Sequence, residues 1–480
     1  MHHEPVTFAL PCRKRLPLCT LAIASVALPL GAQSPIGMLI SEQSRTNFSV
    51  LGAGARAMGL GGAFIAVADD ATAVSFNPAG LAQLLQPEVS FVARGTQRNV
   101  GYEDFATTGQ GRFMAVSDTV TGSTRLDPLF ASATAPLRLG GRNLVLQFSI
   151  QRAFAQNEDG DRTLNEFPEV TGSGVPTHLA QSINQSGQID LYSFAVAYEV
   201  SQRILLGVAY NQWRGRWSLE SASVQTAGPA TTTLAFRQTN ALDGGNFNLG
   251  LIWRWPTWSL GLVRQTGFHA DYTFTTALDT SLVPGPGTSR RVTTGLHWPS
   301  STGLGFAFRP ADRWLVTADL THTLWSTTRY MSGATYLNGQ SFFDFDKGDR
   351  TPNATAVHMG LEHLWLTDRN WIIPLRVGLS REPQPVEDRY TGEQRVMKWA
   401  SIGSGFKRGA MSLDLAYRYG WSRRQASQFL EIDQILSHTP PTSIGTERIR
   451  EQRVDASLIF QFDRRPLERA LRYLFVGEPE

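Results

Sequence analysis

Alternation of apolar and polar residues with a period of two is the feature that most constrains the fold of this 480-residue chain. The period predominates from Pro87 onward, and it is the period of a β-strand. No apolar segment after Ala32 is long enough for a transmembrane helix, because Gly, Arg, Asp or Thr interrupts every candidate. In the clearest strands, Leu191–Val200, Trp371–Leu379 and Val454–Phe462, one face is continuously apolar and the other is mostly small or polar. Apolar residues facing lipid and polar residues facing a lumen are typical of a transmembrane β-barrel.

The connections between the predicted strands differ in length. Short turns are predicted at Leu139–Arg142, Ser201–Arg203, Pro256–Thr257, Pro310–Arg313, Thr367–Asn370 and Lys407–Gly409. Long polar loops are predicted at 96–125, 154–188, 215–243, 267–288, 327–353, 381–394 and 420–451. Outer-membrane barrels have short periplasmic turns and long external loops. The pattern therefore predicts an all-β, antiparallel transmembrane barrel of about 14 strands, in which Pro299 kinks one long strand from Arg291 to Arg309.

The first 32 residues carry the features of a signal peptide. A basic cluster at 13–15 precedes an apolar run at 18–30, which is too short to span a bilayer, and small residues precede Gln33. Both cysteines, Cys12 and Cys19, lie in this segment, so we expect an exported chain without a disulfide or a cysteine ligand. Cleavage near residue 32 leaves 41 Lys+Arg against 40 Asp+Glu. This balance gives no indication of nucleic-acid binding or of a basic membrane-surface patch.

The expected division of the chain is a signal peptide at 1–32, an N-terminal plug at 33–86, the barrel at 87–462 and a C-terminal extension at 463–480. Leu467, Ala470, Leu471 and Leu474 have helical spacing and predict a short amphipathic periplasmic helix in the extension. Aromatic residues beside the short turns predict a periplasmic girdle. These are Trp253, Trp255, Trp258, Trp314, Trp365 and Trp371.

The region before the first strand is rich in Gly and Ala and contains Asn77-Pro78-Ala79-Gly80. Small residues allow backbone to pack against backbone, so this region is predicted to form a compact plug in the lumen. Residues 52–57 also mimic the glycine-rich fingerprint of dinucleotide-binding proteins. That fingerprint requires a strand, a helix and α/β alternation, and no such alternation follows here.

Two stretches resemble the FadL/TodX family of outer-membrane hydrocarbon transporters. The first is LGAGARAMGLGGAFIAVADDATAVSFNPAGL at 51–81, which is similar to the plug of that family. The second, HWPSSTGLGFAFRPADRW at 297–314 with Asp319 and Trp325, looks like its mid-barrel strand pair. The likeness spans most of the exported chain in layout and is specific in these two stretches. PorV-like secretion components share a similar plug.

The resemblance implies a barrel closed by its own N-terminus. Hydrophobic solutes would land in an outer groove, pass to an inner pocket, and leave through a kink in the wall or past a shifted plug, without an energy source. Plug structure and gating are implied for Gly59, Gly61, Asp69, Asp70, Asn77, Pro78 and Ala79. Four apolar residues, Met58, Leu60, Phe64 and Phe76, are candidates either for the lining of the pocket or for the core of the plug.

The alternation points several charged residues into the lumen. These are Asp319, Glu362, Arg376, Asp414, Arg418 and Asp455, with His358 beside them. A lumen charge that meets the plug needs a partner, because an unpaired buried charge is costly. Partners are available in Arg45, Arg56, Asp69 and Asp70. Structural ion pairs or a solvated lumen are favoured over a ligand-binding or proton-linked role.

Sequence features of an enzyme or a metal site are weak. Gly403-Ser404-Gly405 lacks the full nucleophile elbow, and the histidines have no metal-ligand spacing. A carboxylate cluster at 343–349 departs from the EF-hand loop and is interpreted as a solvated loop. We therefore expect no catalytic residue, no metal and no cofactor.

The leading functional hypothesis is passive transport of long-chain fatty acids or other hydrophobic compounds across a bacterial outer membrane. Its expected partners are the hydrophobic solutes and the outer-membrane lipids, without nucleic acid. The alternative is a PorV-like, protein-binding barrel that serves a secretion or surface-assembly machine. A general porin is a third hypothesis, and it predicts steady ionic conductance.

Overall fold

The computed structural model describes residues 52–107, 114–121, 125–155, 158–166, 177–227, 229–281, 287–330, 351–367, 371–388, 391–428 and 443–463. Several sequence predictions lie outside these residues: the signal peptide, the start of the plug with Arg45, the carboxylate cluster at 343–349 and the C-terminal helix beyond residue 463. Among the described residues, no helix has the length and apolarity needed to cross a membrane.

Strands make up most of the described chain. They are β1 Glu88–Thr107, β2 Met114–Thr121, β3 Arg125–Leu139, β4 Arg142–Ala155, β5 Glu158–Glu166, β6 Thr177–Glu199, β7 Ile204–Ala227, β8 Ala230–Arg254, β9 Trp258–Gln265 and β10 Phe268–Thr280. The second half of the barrel contains β11 Thr288–Trp298, β12 Ser301–Ala311, β13 Trp314–Thr323, β14 Arg329–Tyr330, β15 Ala354–Leu366, β16 Ile372–Glu387, β17 Gln394–Arg408, β18 Met411–Gln428 and β19 Ser443–Gln461. The helices are short: α1 Ala55–Gly59 and the 3₁₀ turns η1 Ala73–Ser75, η2 Pro78–Gln83 and η3 Trp325–Thr327.

The sheet closes on itself. Sequential neighbours pair antiparallel, and β1 pairs with β19 from Glu88 opposite Gln461 upward. The 19 segments form 14 wall strands, because five wall strands are each broken once. Closure leaves no edge strand among the described wall strands, which is what a sheet in lipid requires. The predicted antiparallel barrel of about 14 strands is confirmed.

Three neighbouring wall strands break close together. The breaks separate β9 from β10 at Thr266–Gly267, β11 from β12 at Pro299–Ser300, and β13 from β14 at residues 324–328. Pro299 has no backbone N–H to donate, so the hydrogen-bond ladder between neighbouring strands is easily interrupted there. The kink predicted at Pro299 is therefore a break between β11 and β12. Nearby backbone groups pair across the breaks, with Thr266 N donating to Phe247 O and Leu324 N donating to Ser300 O.

The lower part of the barrel has an apolar outer face. Phe194, Leu379 and Ile402 point outward, and their side chains are 52%, 61% and 60% exposed. The inward residues that alternate with them are small or polar, such as Ser193 and Ser401. Exposed apolar residues on the outside of a closed sheet form the band that lipid covers.

On the side of the three breaks away from the short turns, the apolar residues point into the barrel and the polar residues point outward. Phe268, Tyr272 and Phe274 of β10 point inward and are buried, whereas His269 and Asp271 between them are exposed. Most of the described part of the predicted polar loop 267–288 is therefore strand, namely Phe268–Thr280. The prediction was wrong because a strand that continues from lipid into water keeps its period of two. Its apolar residues then point inward and its polar residues point outward.

The other predicted loops are shortened for the same reason. β7 and β8 remain paired from Ile204 opposite Trp253 up to Ala227 opposite Ala230, which includes most of the predicted loop 215–243. Backbone hydrogen bonds of the ladder satisfy the extended chain, so the polar composition of a strand outside lipid does not indicate a loop.

The short turns lie at the opposite end of the barrel. Gly140 and Gly141 have φ angles of 59° and 76°, and this left-handed pair joins β3 to β4 directly. At the same end Trp253, Trp255 and Trp258 form an aromatic group, in which the last two rings stack at 3.8 Å. These features correspond to the predicted turns and to part of the predicted girdle.

The N-terminal segment 52–86, named here the inner segment, lies against the inner face of the wall. Its residues bond to strands all round the barrel, for example to Asn143 of β4, Leu251 of β8 and Ser401 of β17. The backbone of the inner segment packs directly against inward-facing glycines of the wall. For example, a Cβ added to Gly207 would collide with Pro78 and Ala79. Close approach of two backbones explains why small residues dominate this segment and the wall that faces it.

Candidate functional site

Asn77 fixes the middle of the inner segment. Its Oδ1 accepts the N–H of Ala79 at 3.1 Å and caps η2, in which Pro78 occupies the first turn. Its Nδ2 donates to Ile65 O at 3.0 Å and to Leu251 O of β8 at 3.1 Å. One fully buried side chain thus holds a turn, a second part of the segment and the wall together.

Arg56 of α1 joins the segment to the charged side of the wall. Its guanidinium donates to both carboxylate oxygens of Glu362 at 3.1 Å and to Asp69 at 2.5 Å. Glu362 also accepts from Arg376 at 2.6 Å, and Arg376 reaches Asp414 at 2.5 Å. A bidentate arginine–carboxylate pair is geometrically specific, so this chain of ion pairs sets the position of α1.

Asp319 holds the next part of the segment without a cation. Its Oδ2 accepts the backbone N–H groups of Phe64 at 2.6 Å and Ile65 at 2.8 Å. The sequence placed this residue in a charge network, but its partners in the structure are backbone amides. Backbone amides also stabilise a buried carboxylate, but every residue except proline has one, so the sequence does not show which amides will be the partners.

Asp69 and Asp70 have different roles. Asp69 bonds Arg56 and lies 3.7 Å from Arg309 of β12. Asp70 Oδ1 accepts from Thr72 N at 2.8 Å and from Thr72 Oγ1 at 2.6 Å. Burial raises the pKa of Asp70 above its ordinary value, while the charge of Arg56 and the bonds from Thr72 act in the other direction.

Gly59 and Gly61 lie where the segment touches the wall. A Cβ on Gly59 would approach the Cα of Gly403 to 3.2 Å, and Gly59 O accepts from Ser401. Gly61 has a φ of 69°, and a Cβ there would lie 2.7 Å from Met359 O. Both space and conformation therefore require glycine at 61.

The four apolar candidates divide between two places. Met58, Leu60 and Phe64 are fully buried among small residues of the segment and the wall. Phe76 packs edge-on against Phe64 at 5.3 Å and also lines a cavity between the segment and the wall. This inner cavity has a volume of about 70 Å³ and is bordered by Ile65, Phe76, Asp319, Trp325, His358 and Glu382. It is well below the few hundred Å³ typical of a ligand pocket.

Above the segment the lumen contains an aromatic cluster. Its centre consists of Phe154, Trp213, Phe268, Trp298 and Trp325. Ring centroids of Trp213 lie 5.4 Å from Phe268 and 5.6 Å from Trp298. The indole N–H of Trp213 donates to Asn246 at 2.9 Å, so its polar atom is satisfied and the surface that it presents is apolar. Sequence reasoning missed this cluster, although the alternation 268–270–272–274 is the signal that could have found it.

A second cavity lies at the wall, where β1 meets its neighbours β3 and β19. It measures about 460 Å³ and is lined by outward residues such as Phe91 and Ile150 and by inward residues such as Val92 and Phe130. The register of β1 and β3 slips here, because Val92 faces Phe130 while Ala93 faces Pro128. Proline cannot donate to the ladder, and the bulge leaves Leu129 without a partner in the register. We call this opening the wall cavity.

The wall cavity adjoins the aromatic cluster. Arg152, which lines the cavity, is two residues from Phe154 on β4, and Asp190 of the cavity follows Ile189 of the cluster on β6. Arg152 lies 3.2 Å from Asp127 and 3.5 Å from Asp190. Two ion pairs of Arg152 thus lie beside the residues that link the two apolar regions on β4 and β6.

The lumen wall opposite carries compensated charges. The five buried arginines of the described residues each have a carboxylate partner; they are Arg376, Arg395, Arg418, Arg424 and Arg453. Arg418 bonds Glu382 at 2.9 Å, and both Arg418 and Arg453 lie 4.5 Å from the ring centre of Trp399. Asp455 pairs with Arg94, and His358 lies 3.6 Å from Glu382. Within the described ranges, no group of three or more potential ligands could hold a metal ion.

No protein-family model matches the sequence, and no curated protein matches it. Solved structures do match. A Pseudomonas aeruginosa FadL homologue is 13% identical, covers 87% of this chain and 100% of its own, and superposes with a TM-score of 0.59. The P. putida toluene transporter TodX is 14% identical, with coverages of 86% and 99% and a TM-score of 0.59. The Ralstonia pickettii toluene transporter TbuX is 14% identical, with coverages of 87% and 100% and a TM-score of 0.55. The chain therefore has the outer-membrane-type barrel fold of the FadL and TodX structures.

Proposed function

We propose that this protein carries hydrophobic small molecules across a bacterial outer membrane by passive diffusion, with the inner segment as its plug. The wall cavity is the observation that carries the proposal. A porin passes its solute along the axis, whereas we infer that here the inner segment closes that axis and that the wall cavity offers an apolar route sideways, towards the lipid-facing surface.

The proposed path begins at the aromatic cluster. A hydrophobic solute that leaves water gains free energy there because apolar surface is removed from water. It then passes the pairs of Arg152 with Asp127 and Asp190 and enters the wall cavity. From the wall cavity it reaches the surface between β1 and β3, which is covered by lipid, so the periplasmic end of the axis need not open.

The charges of the lumen favour an uncharged solute. Each buried arginine of the described residues already has a carboxylate, so a fatty-acid head group would have to displace an internal partner. We therefore propose neutral hydrocarbons as the preferred cargo, with long-chain fatty acids as the second class. The structural similarity to the toluene transporters TodX and TbuX supports this order.

Uptake measured in cells with and without the protein tests the proposal. Labelled toluene and labelled oleate should both enter faster when the protein is present, toluene by the larger factor. The purified protein should be nearly silent in a planar bilayer. Unchanged entry of every hydrophobic solute, together with a stoichiometric protein partner captured from the membrane, would favour the PorV-like alternative. Steady ionic conductance would favour a porin.

A further inference from the structure

The outer face above β16–β19 carries four exposed cations, which we name the outer basic patch. They are Arg381 of β16, Lys398 of β17, Arg423 of β18 and Arg450 of β19. The patch lies at the end of the barrel remote from the short turns. The near balance of 41 Lys+Arg against 40 Asp+Glu after residue 32 does not indicate this local excess, because the four residues are far apart in the sequence.

Strand register brings the four cations together. Arg381 lies directly opposite Lys398, Lys398 opposite Trp421, and Trp421 opposite Arg450. Arg423 lies two residues beyond Trp421 on the same face, opposite Arg448. Side chains directly opposite in an antiparallel pair have Cβ atoms about 5 Å apart, and like charges in such pairs are destabilising.

Outward charges on the other side of the barrel are arranged differently. Arg214 lies opposite Asp243 and bonds it at 3.0 Å, and Arg237 lies opposite Glu220 at 3.0 Å. No carboxylate of the described residues pairs with the four cations of the patch. Among the described residues, the patch therefore has the repulsion of like charges without a counter-charge, and an external anion would remove this repulsion.

The position of the patch identifies the kind of anion. Below Arg381 the outward residues of β16 are Leu379, Val377 and Leu375, and below Arg450 the outward column of β19 leads to Val454. The cations thus begin where the lipid-covered band ends. Trp421, which is partly exposed between them and stacks with Tyr419, is the kind of residue that occupies the head-group level.

We propose that the outer basic patch binds the phosphate groups of lipids in the adjacent leaflet, with their acyl chains along the apolar columns of β16–β19. Arg381 with Lys398 forms one phosphate position, and Arg423 with Arg450 forms a second, roughly 10 Å away across two strand spacings. A phosphorylated glycolipid with two phosphates, such as lipid A, fits this spacing and the apolar surface below it. The proposal rests on the outer-membrane location in the proposed function.

Native mass spectrometry of the purified protein in detergent tests this proposal with lipid A as the probe. Wild type should retain lipid A, and K398Q/R423Q should bind it about thirtyfold more weakly, since each cation near a lipid surface contributes roughly fivefold. The matched control R214Q/R237Q also removes two outward arginines and should bind like wild type. Heat-modified gel migration establishes that all three barrels are folded.

Two further arms identify the chemistry. Lipid A stripped of its phosphates should bind no better to wild type than to K398Q/R423Q, and millimolar inorganic phosphate should not displace intact lipid A. Equal binding by the two double variants, or undiminished binding of the dephosphorylated lipid, would overturn the proposal. Displacement by inorganic phosphate would show a free-anion site instead. No transported solute enters the assay, so its failure is distinct from a failure of uptake.

Discussion

Arg56 and Glu362 form a two-bond pair across the boundary between the inner segment and the wall, with both nitrogen–oxygen distances at 3.1 Å. Glu362 lies on β15 and shares its carboxylate with Arg376. The pair is nearly enclosed, so it works as a directional attachment for α1 and not as a screened surface contact.

Glu362→Gln should loosen this attachment. The variant leaves two guanidinium groups facing a neutral amide, and losing one partner of a buried pair costs about 3 kcal/mol. Hydrogen exchange of residues 52–86 should accelerate while the wall strands stay protected. Glu220→Gln, which removes an exposed outer partner of Arg237, is the control and should leave exchange unchanged. Equal protection in both variants would contradict the role of the pair.

Asn77→Ala should detach the middle of the segment. The substitution removes the cap of η2 and leaves the carbonyls of Ile65 and Leu251 without this donor. Together these losses should cost about 2–4 kcal/mol. Thermal unfolding in detergent measures the effect. Asn353→Ala removes an exposed cap on Ser326 outside the segment and should shift the transition far less.

Gly378→Ala tests the close approach of the two backbones. A Cβ at 378 would overlap the backbone of Leu60 and Gly61, so the segment has to move away from β16. We expect measurable single-channel openings in planar bilayers, in which the wild-type protein should be nearly silent. Gly101→Ala of β1 is the matched control, because nothing lies within 4 Å of its added Cβ. Silence of both variants would mean that the segment tolerates the shift without unblocking the axis.

Ala131→Leu should fill the wall cavity from the outer face. Ala131 lines the cavity on β3, and the larger side chain would narrow the opening between β1 and β3. Toluene entry should fall several-fold, while the melting temperature stays within a few degrees of wild type. Ala318→Leu adds the same volume to the outer face of β13, away from the cavity, and should not slow entry. A solute that leaves past a displaced plug would be insensitive to both substitutions.

The sequence was sufficient for the wall. Alternation and the short turns at Leu139–Arg142 and Lys407–Gly409 correctly indicated strands. Pro299, predicted as a kink inside one long strand, lies at a break between β11 and β12. The sequence was not sufficient for strand length. Hydrophobicity reports where lipid covers a strand, whereas the ladder continues as long as backbone partners are present. For this reason the predicted loop 215–243 consists largely of paired residues of β7 and β8.

The site was predictable only in part. The inward position of Glu362, Arg376 and Arg418 follows from period two, but their partners depend on how the inner segment docks. Asp319 shows the limit clearly, because its donors are amides of Phe64 and Ile65. The wall cavity depends on a one-residue slip at Leu129, and register is not written in the composition of a single strand.

The aromatic cluster also limits the width of the lumen at the level of its rings. Phe154 and Trp298 belong to β4 and β11, on opposite sides of several intervening strands, and their ring centroids are 6.0 Å apart. Rings at this distance leave no gap between them for a solute. On the proposed path, a solute would have to wait for a side chain to change rotamer and would then take its place. The rate at which the aromatic side chains change rotamer would then limit the passage of solutes, and larger solutes would pass more slowly.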